Sequence, residues 1–300
     1  MNDKVIIEVG LNENAGRDGN PHIPYSPEEI AADARRCYEA GAAMVHYHAR
    51  DPQTGAPRSS DIALNLETQR LVTETAPVIA YPTYGDFVKV MDGWYVIGSP
   101  AEERFRHITA ALEAGLRIEF GTIDLGSAFD LNVFRPTADK WVLTRGHQLN
   151  TGRDHEWLCG FCDRHRLKKS FAAFDTVHLI NLRNLIDIGL VDDDRLVLKL
   201  CLVGGHLLEK RLLHSIDLMG DLFPGREVVW SPIIPGEDAL PTTALALALG
   251  GHVRIGIGDF HYGGTMTNAA LVERVVDLAR ACGREPATPD EARKLQGIFT

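Results

Sequence analysis

Short runs of β-branched and aliphatic residues alternate with longer stretches of helical periodicity along the chain. Val5–Val9 is the first such run and reads as a strand. Ser26-Pro27-Glu28-Glu29 then marks a helix start: Ser26 as N-cap, Pro27 at the first helical position, Glu29 closing a capping box. That helix is predicted to run to about Ala40 and to stop at Gly41. The pattern goes on to predict strands over Met44–His48, Val78–Tyr81 and Ile118–Ile123, with helices over Ile62–Glu74 and Ala101–Ala114. From Ser127 to Thr151 regularity is lost. Beyond it, Asp154–Lys168 is predicted helical and Thr176–Ile180, Leu196–Leu202 and Val228–Ile234 are predicted strands, with helices over Leu207–Leu218 and Ala239–Leu249. Val253–Ile257 is the eighth predicted strand and Thr267–Cys282 the eighth helix. Thr288-Pro289-Asp290-Glu291 repeats the helix-start signature ahead of a short terminal helix.

Eight strand–helix alternations predict an α/β protein, a (β/α)8 TIM barrel forming one domain over residues 1–300 with a short C-terminal helix. A doubly wound open sheet is the competing architecture. Against it, the connection after the first strand is long (Leu11 to Tyr25) and carries no G-x-G-x-x-G at a helix start. The composition, 45% hydrophobic and 24% charged, suits a globular protein with a large core. A net charge of −10 argues against a nucleic-acid or anionic-membrane binder, although local arginines can still hold a small anion. The N-terminus shows no signal-peptide pattern and no run of about 18 apolar residues occurs. Five scattered cysteines fit a reducing compartment, so the expected location is cytoplasmic.

Chemistry concentrates where the strands end. In His46-Tyr47-His48-Ala49-Arg50-Asp51 the two histidines are two residues apart and project from one face of a strand, so they can share a metal ion. They supply two of the three protein ligands that a catalytic zinc usually takes; in an arbitrary H-x-H, bonds to neighbouring carboxylates are the commoner arrangement. In a barrel the same rim collects Asn12, Glu13 and Asn14 after strand one, Thr83 and Tyr84 after strand three, Thr122 and Asp124 on strand four, and Asp259 and His261 after strand eight.

These residues, with Pro21-His22-Ile23-Pro24-Tyr25-Ser26-Pro27-Glu28-Glu29, Thr122-Ile123-Asp124-Leu125-Gly126-Ser127, Gly250-Gly251-His252-Val253-Arg254-Ile255-Gly256 and Ala287-Thr288-Pro289-Asp290-Glu291-Ala292, give the chain a resemblance to the β-keto acid cleavage enzymes, zinc-dependent barrels that include the 3-keto-5-aminohexanoate cleavage enzyme. The resemblance spans nearly the whole chain. It implies exchange of acyl groups between a β-keto acid and acetyl-CoA in a retro-Claisen sense, giving acetoacetate and a new CoA thioester. It further implies a divalent metal, zinc in the family, on His46 and His48, and an Arg254–Asp259 dyad that abstracts the C2 proton. Asn14, Thr83, Thr122 and Asp124 are implied as substrate-pocket residues. The implied partners are a small β-keto acid, a CoA thioester and further copies of the chain, a tetramer among the forms open to it.

The chain departs from the family pattern at the last strand, where Gly258 stands in place of the glutamate that is the third zinc ligand. A compensating ligand is expected from His261, Asp259, Glu8, Glu13 or Asp124. Otherwise the histidines hold a metal weakly, or the site has lost it. Two other functions follow from such a change: aldolase- or hydrolase-like carbonyl chemistry on the same barrel, or a catalytically silent metabolite-binding barrel. Asn14 matches the glutamate that neutralises an amino substrate, which argues against a cationic keto acid. The fifth-strand region, glutamate-bearing in the family, is matched by Thr176-Val177-His178-Leu179. Cys159-Gly160-Phe161-Cys162 has helical surroundings and reads as buried packing rather than a metal or redox motif. Gly204-Gly205-His206 is either a tight strand-to-helix turn or a phosphate contact, Gly263-Gly264-Thr265 is a candidate phosphate contact, and Phe87 with Trp94-Tyr95 is a candidate lid or subunit contact, the family's oligomers favouring the latter.

Overall fold

Eight parallel strands carry the architecture: β1 (Ile7–Gly10), β2 (Met44–Tyr47), β3 (Ile79–Pro82), β4 (Phe120–Asp124), β5 (Lys168–Ala173), β6 (Arg195–Cys201), β7 (Glu227–Ile233) and β8 (Val253–Ile255). The computed structural model describes residues 3–13, 15–84, 88–91, 94–97, 99–129, 133–137, 140–143 and 146–298. The strands pair in sequence order within two sheets, β8-β1-β2-β3 and β4-β5-β6-β7. At one seam His252 N donates to Trp230 O at 2.8 Å, joining β8 to β7. At the other, Gln69 Nε2 donates to Ala80 O at 3.1 Å and to Arg117 O at 2.7 Å, tying β3 to the approach of β4. This is the strand order of a (β/α)8 barrel, with helices on its outside.

The helix caps follow the sequence. Helix α1 (Pro27–Ala40) has the full Ser26/Glu29 capping box and ends at Gly41, whose φ of 118° only glycine adopts readily. Helix α2 spans Ile62–Thr75, and the predicted third helix divides at Phe105 into α3 (Ala101–Arg104) and α4 (Arg106–Glu113). The remaining helices are α5 (Gly152–His165), α6 (Thr176–Asp187), α7 (Leu208–Leu222), α8 (Leu240–Ala248), α9 (Asn268–Ala281) and α10 (Pro289–Gln296). Cys159 and Cys162 are buried on α5, where burial pushes the Cys159 thiol up to about 11, consistent with inert packing.

One predicted strand is corrected. Thr176–Ile180 opens helix α6, capped by Asp175, with His178, Leu179, Leu182 and Leu185 on its buried face. Val177 and Ile180, which suggested a strand, are 50% and 47% exposed. The fifth strand is Lys168–Ala173, paired with both β4 and β6. Its lysines hide it from a hydrophobic pattern. They bury their stems and bring Lys168 Nζ to Asp193 at 2.7 Å and Lys169 Nζ to Asp163 and Asp193. The connections after β3 and β4 contribute Val88–Met91, Trp94–Ile97, Ala128–Phe129 and Gly146–Gln148 to one small sheet. Phe87 lies outside the described residues. Among the described residues no helix is long and apolar enough to cross a membrane.

Candidate active site

Period-2 alternation sorts each strand into an outward set under the helices and an inward set filling the barrel. The inward set begins apolar: Ile6, Met44, Ile79, Phe120, Val197 and Val229 share one buried cluster. One step toward the C-terminal ends it turns polar, and there a cavity of about 730 Å³ opens. Glu13, His46, His48, Thr83, Thr122, Asp124, Lys199, Arg254, Asp259 and His261 are among its lining residues. Such a mouth is where barrel enzymes place their chemistry.

His46, His48 and Glu13 converge at this mouth, with one ligand atom from each within 4.8 Å of the others. Glu13 Oε2 lies 2.9 Å from His48 Nε2, and Glu13 Oε1 lies 3.5 Å from His46 Nε2. Ligand atoms on a tetrahedral ion at 2.0–2.1 Å stand about 3.3 Å apart, so this donor set fits one divalent cation. The Nδ1 of His46 sits 3.2 Å from the Tyr81 carbonyl oxygen. A proton on Nδ1 shared with that carbonyl leaves the Nε2 lone pair for a metal. Burial pushes the His46 imidazole down to about 3, which keeps it in the neutral, ligating form. His48 Nδ1 is buried and has no partner among the described residues.

The third member comes from the loop after β1. Glu13 has φ 37°, a left-handed conformation that costs a non-glycine residue about 1–2 kcal/mol and needs support from its surroundings. Arg50 supplies it, donating from Nη1 to the Glu13 carbonyl at 2.7 Å and from Nη2 to the Ala15 carbonyl at 2.9 Å. Asn12 ties the same loop to β2 by accepting from His48 N at 2.8 Å and donating to His48 O at 2.9 Å. Gly258 completes the arrangement. A Cβ there would lie 2.7 Å from Asn12 backbone atoms and 2.8 Å from Glu13 N. A side chain at 258 and the present path of the loop therefore exclude each other. Arg50→Met should free the loop and weaken metal affinity by about 10–100-fold, the usual cost of losing an outer support, while His46 and His48 stay in place. Metal titration of the purified variant checks this; unchanged affinity would remove Arg50 from the account.

Arg254 and Asp259 form a fork beside this cluster. Nε and Nη2 of Arg254 each reach an Asp259 oxygen at 3.1 Å. Arg254 Nη1 also donates to Glu8 Oε1 at 3.2 Å, and Nη2 to Glu13. Burial, with the charges of Glu13 and Glu8, pushes the Asp259 carboxyl up to about 6, against the pull of Arg254. The backbone holds the acid too, since Gly236 N donates to the Asp259 carbonyl at 2.8 Å. Gly10 leaves room for the fork: a Cβ there would stand 2.7 Å from Asp259 Oδ2 and 2.9 Å from Arg254 Nη2.

Thr83, Thr122 and Asp124 line the cavity walls, Asp124 accepting from the Tyr84 hydroxyl. Asn14 lies outside the described residues. His261 reaches the rim, but its Nδ1 accepts from Gly263 N at 3.0 Å, and the group brought together around both histidines contains Glu13 instead. Sequence reasoning passed over Asn12 and Arg50 as loop supports, and Lys199 entirely. Arg50 lies within the His46–Asp51 run, the one signal that could have drawn attention to it.

The sequence pattern of the beta-keto acid cleavage enzyme family matches residues 4–298. The chain is similar to the 3-dehydrocarnitine:acetyl-CoA trimethylamine transferase of Rhizobium meliloti, 29% identical over 311 residues covering 98% of this chain and 96% of the relative. It is also similar to the 3-keto-5-aminohexanoate cleavage enzyme of Acetoanaerobium sticklandii, 26% identical over 301 residues covering 99% of each. In three dimensions it resembles ObcA in a binary complex with oxaloacetate, with a TM-score of 0.72 at 18% identity over 93% of this chain and 68% of that one.

Proposed function

Because this chain belongs to the β-keto acid cleavage enzymes, we propose that it transfers the acyl group of a β-keto acid to CoA at a divalent metal, zinc being the ion that the family resemblance implies, with acetyl-CoA as co-substrate. The observation that carries the reading is the convergence of Glu13, His46 and His48 beside the Arg254–Asp259 fork. His46, His48 and Glu13 would hold the ion, which when bound supplies Lewis-acid polarisation of the keto oxygen. Two imidazoles and a carboxylate also suit other first-row ions.

Asp259 is the base. It takes the C2 proton of R–CO–CH2–COO⁻, and the electron pair left at C2 attacks the acetyl carbonyl carbon of acetyl-CoA. The CoA thiolate leaves, then attacks the keto carbon, the C2–C3 bond breaks with its electron pair on C2, and that carbon takes back the proton held by Asp259, which regenerates the base. The products R–CO–SCoA and acetoacetate account for every atom. Arg254 holds the carboxylate of Asp259 in one orientation by its two-pronged contact and stays charged throughout. Thr83, Thr122 and Asp124 face the R group, so substrate choice resides in them and in the loop after β1 that includes Asn14.

A panel of β-keto acids incubated with acetyl-CoA tests the reaction. Acetoacetate release that is lost on chelation and regained with zinc, cobalt or manganese is expected for at least one of them. No release from any member, with metal bound, would overturn the assignment.

A further inference from the structure

Three carboxylates surround one guanidinium on the floor of the cavity. Arg254 donates to Glu8, Glu13 and Asp259, and Arg254, Glu8 and Asp259 are all more than nine-tenths buried at the side chain. Glu13 and Asp259 have places in the proposed chemistry; Glu8 has none. In a cavity of low dielectric a carboxylate with no counter-charge of its own would draw Arg254 strongly, and the fork has only one position at a time.

Lys199 answers this from across the barrel. It projects from β6, and its Nζ meets Glu8 Oε2 and donates to the Tyr81 hydroxyl at 2.6 Å. Tyr81 OH in turn donates to Glu8 Oε1, the oxygen that Arg254 also uses. Glu8 thus has a full positive charge on one oxygen and a neutral donor on the other before Arg254 is counted. Lys199 and Arg254 together hold the Glu8 carboxyl down to about 2 against the upward push of its burial.

We infer that Lys199 is a positioning residue: by neutralising Glu8 it leaves the Arg254 fork directed at Asp259. The inference rests on the proposed function in taking Asp259 as the base, but the arrangement it describes has its own geometric readout. Removing the lysine should let Glu8 take Arg254 as its sole counter-ion, turning the guanidinium away from Asp259. Removing both charges should return it.

Crystal structures and kinetics of Lys199→Met and of the double variant Glu8→Gln/Lys199→Met test this. In Lys199→Met the two 3.1 Å contacts between Arg254 and Asp259 are expected to lengthen past about 3.5 Å, beyond hydrogen-bond range. With the base misplaced, kcat should fall about 100-fold while KM and metal stoichiometry stay within about twofold. The double variant is expected to restore the fork and to bring kcat within about tenfold of wild type, the coupling that a shared charge pair produces. An intact fork in Lys199→Met overturns the inference. So does a double variant as slow as the single one, because Lys199 would then act on the substrate itself.

Should Lys199→Met fail to fold with Glu8 left short of a partner, the double variant decides alone: a folded protein with the fork intact and near-wild-type kcat supports the inference, and a hundredfold loss overturns it. Wild-type protein that turned over no β-keto acid would strike at the proposed function, leaving the fork distances to decide this inference separately.

Discussion

Asp259→Asn is expected to lower kcat by about 10²–10⁴-fold, the range a positioned general base contributes, with metal content and thermal stability close to wild type. The amide keeps the shape and one hydrogen bond to Arg254 but cannot accept the C2 proton. The pH dependence gives the same role a second signature. Burial raises the Asp259 carboxyl to about 6, and only its ionised form is a base. Activity should therefore be full above this value and fall about tenfold per unit below it. The limb belongs at or below about pH 6, since a cation on Glu13 offsets part of the anionic push. The asparagine variant should lose this limb together with the rate. Stopped-flow or coupled assays over pH 4.5–8 measure both; an asparagine variant with wild-type kcat would place the base elsewhere.

Glu13→Gln should have the second largest effect. A neutral amide oxygen is a far weaker ligand than a carboxylate, and the substitution removes the anion of the donor set. Metal affinity should fall by more than the 10–100-fold typical of an outer support, and turnover at fixed metal concentration should fall with it. Protein purified without an affinity tag or chelator should carry about one divalent ion per chain in wild type and far less in Glu13→Gln, as in His46→Ala/His48→Ala. Elemental analysis reads this directly. Full metal occupancy in Glu13→Gln, with loss in the histidine variant, would mean that a different group is the third ligand. The contrast with Gly258→Glu is informative. The added side chain has no space against Asn12 and Glu13 N, so that variant should lose stability rather than gain metal.

What the sequence made legible follows from how local each determinant is. The capping boxes at Ser26 and Thr288 depend on three or four neighbouring residues, and both are present. His46 on β2 and His48 just past its end face one way because strand periodicity is a local rule. Strand β5 escaped because Lys168 and Lys169 are read as surface residues unless Asp163 and Asp193 are known to stand over their ammonium groups. Glu13 was one of several rim carboxylates, and nothing in its immediate sequence separates it from Glu8, Asp124 or Asp259. Its place beside the histidines is set by Arg50 and Asn12 acting on the loop, and by the absence of a side chain at Gly258. Those determinants come from three strands and meet only in the folded barrel. For the same reason Lys199, a cation between apolar residues of β6, gave no sign that its partner lay on β1.

The most direct test of the central claim is the fate of the acetyl group. Wild-type protein loaded with zinc would be incubated with acetyl-CoA labelled with ¹³C at both acetyl carbons and an unlabelled β-keto acid that it consumes, with products separated by mass spectrometry. The account predicts acetoacetate two mass units heavy, formed in equal amount with an unlabelled CoA thioester of the shortened acid. Unlabelled cleavage products with acetyl-CoA left intact would contradict it and assign the barrel to hydrolytic or aldolase-like chemistry.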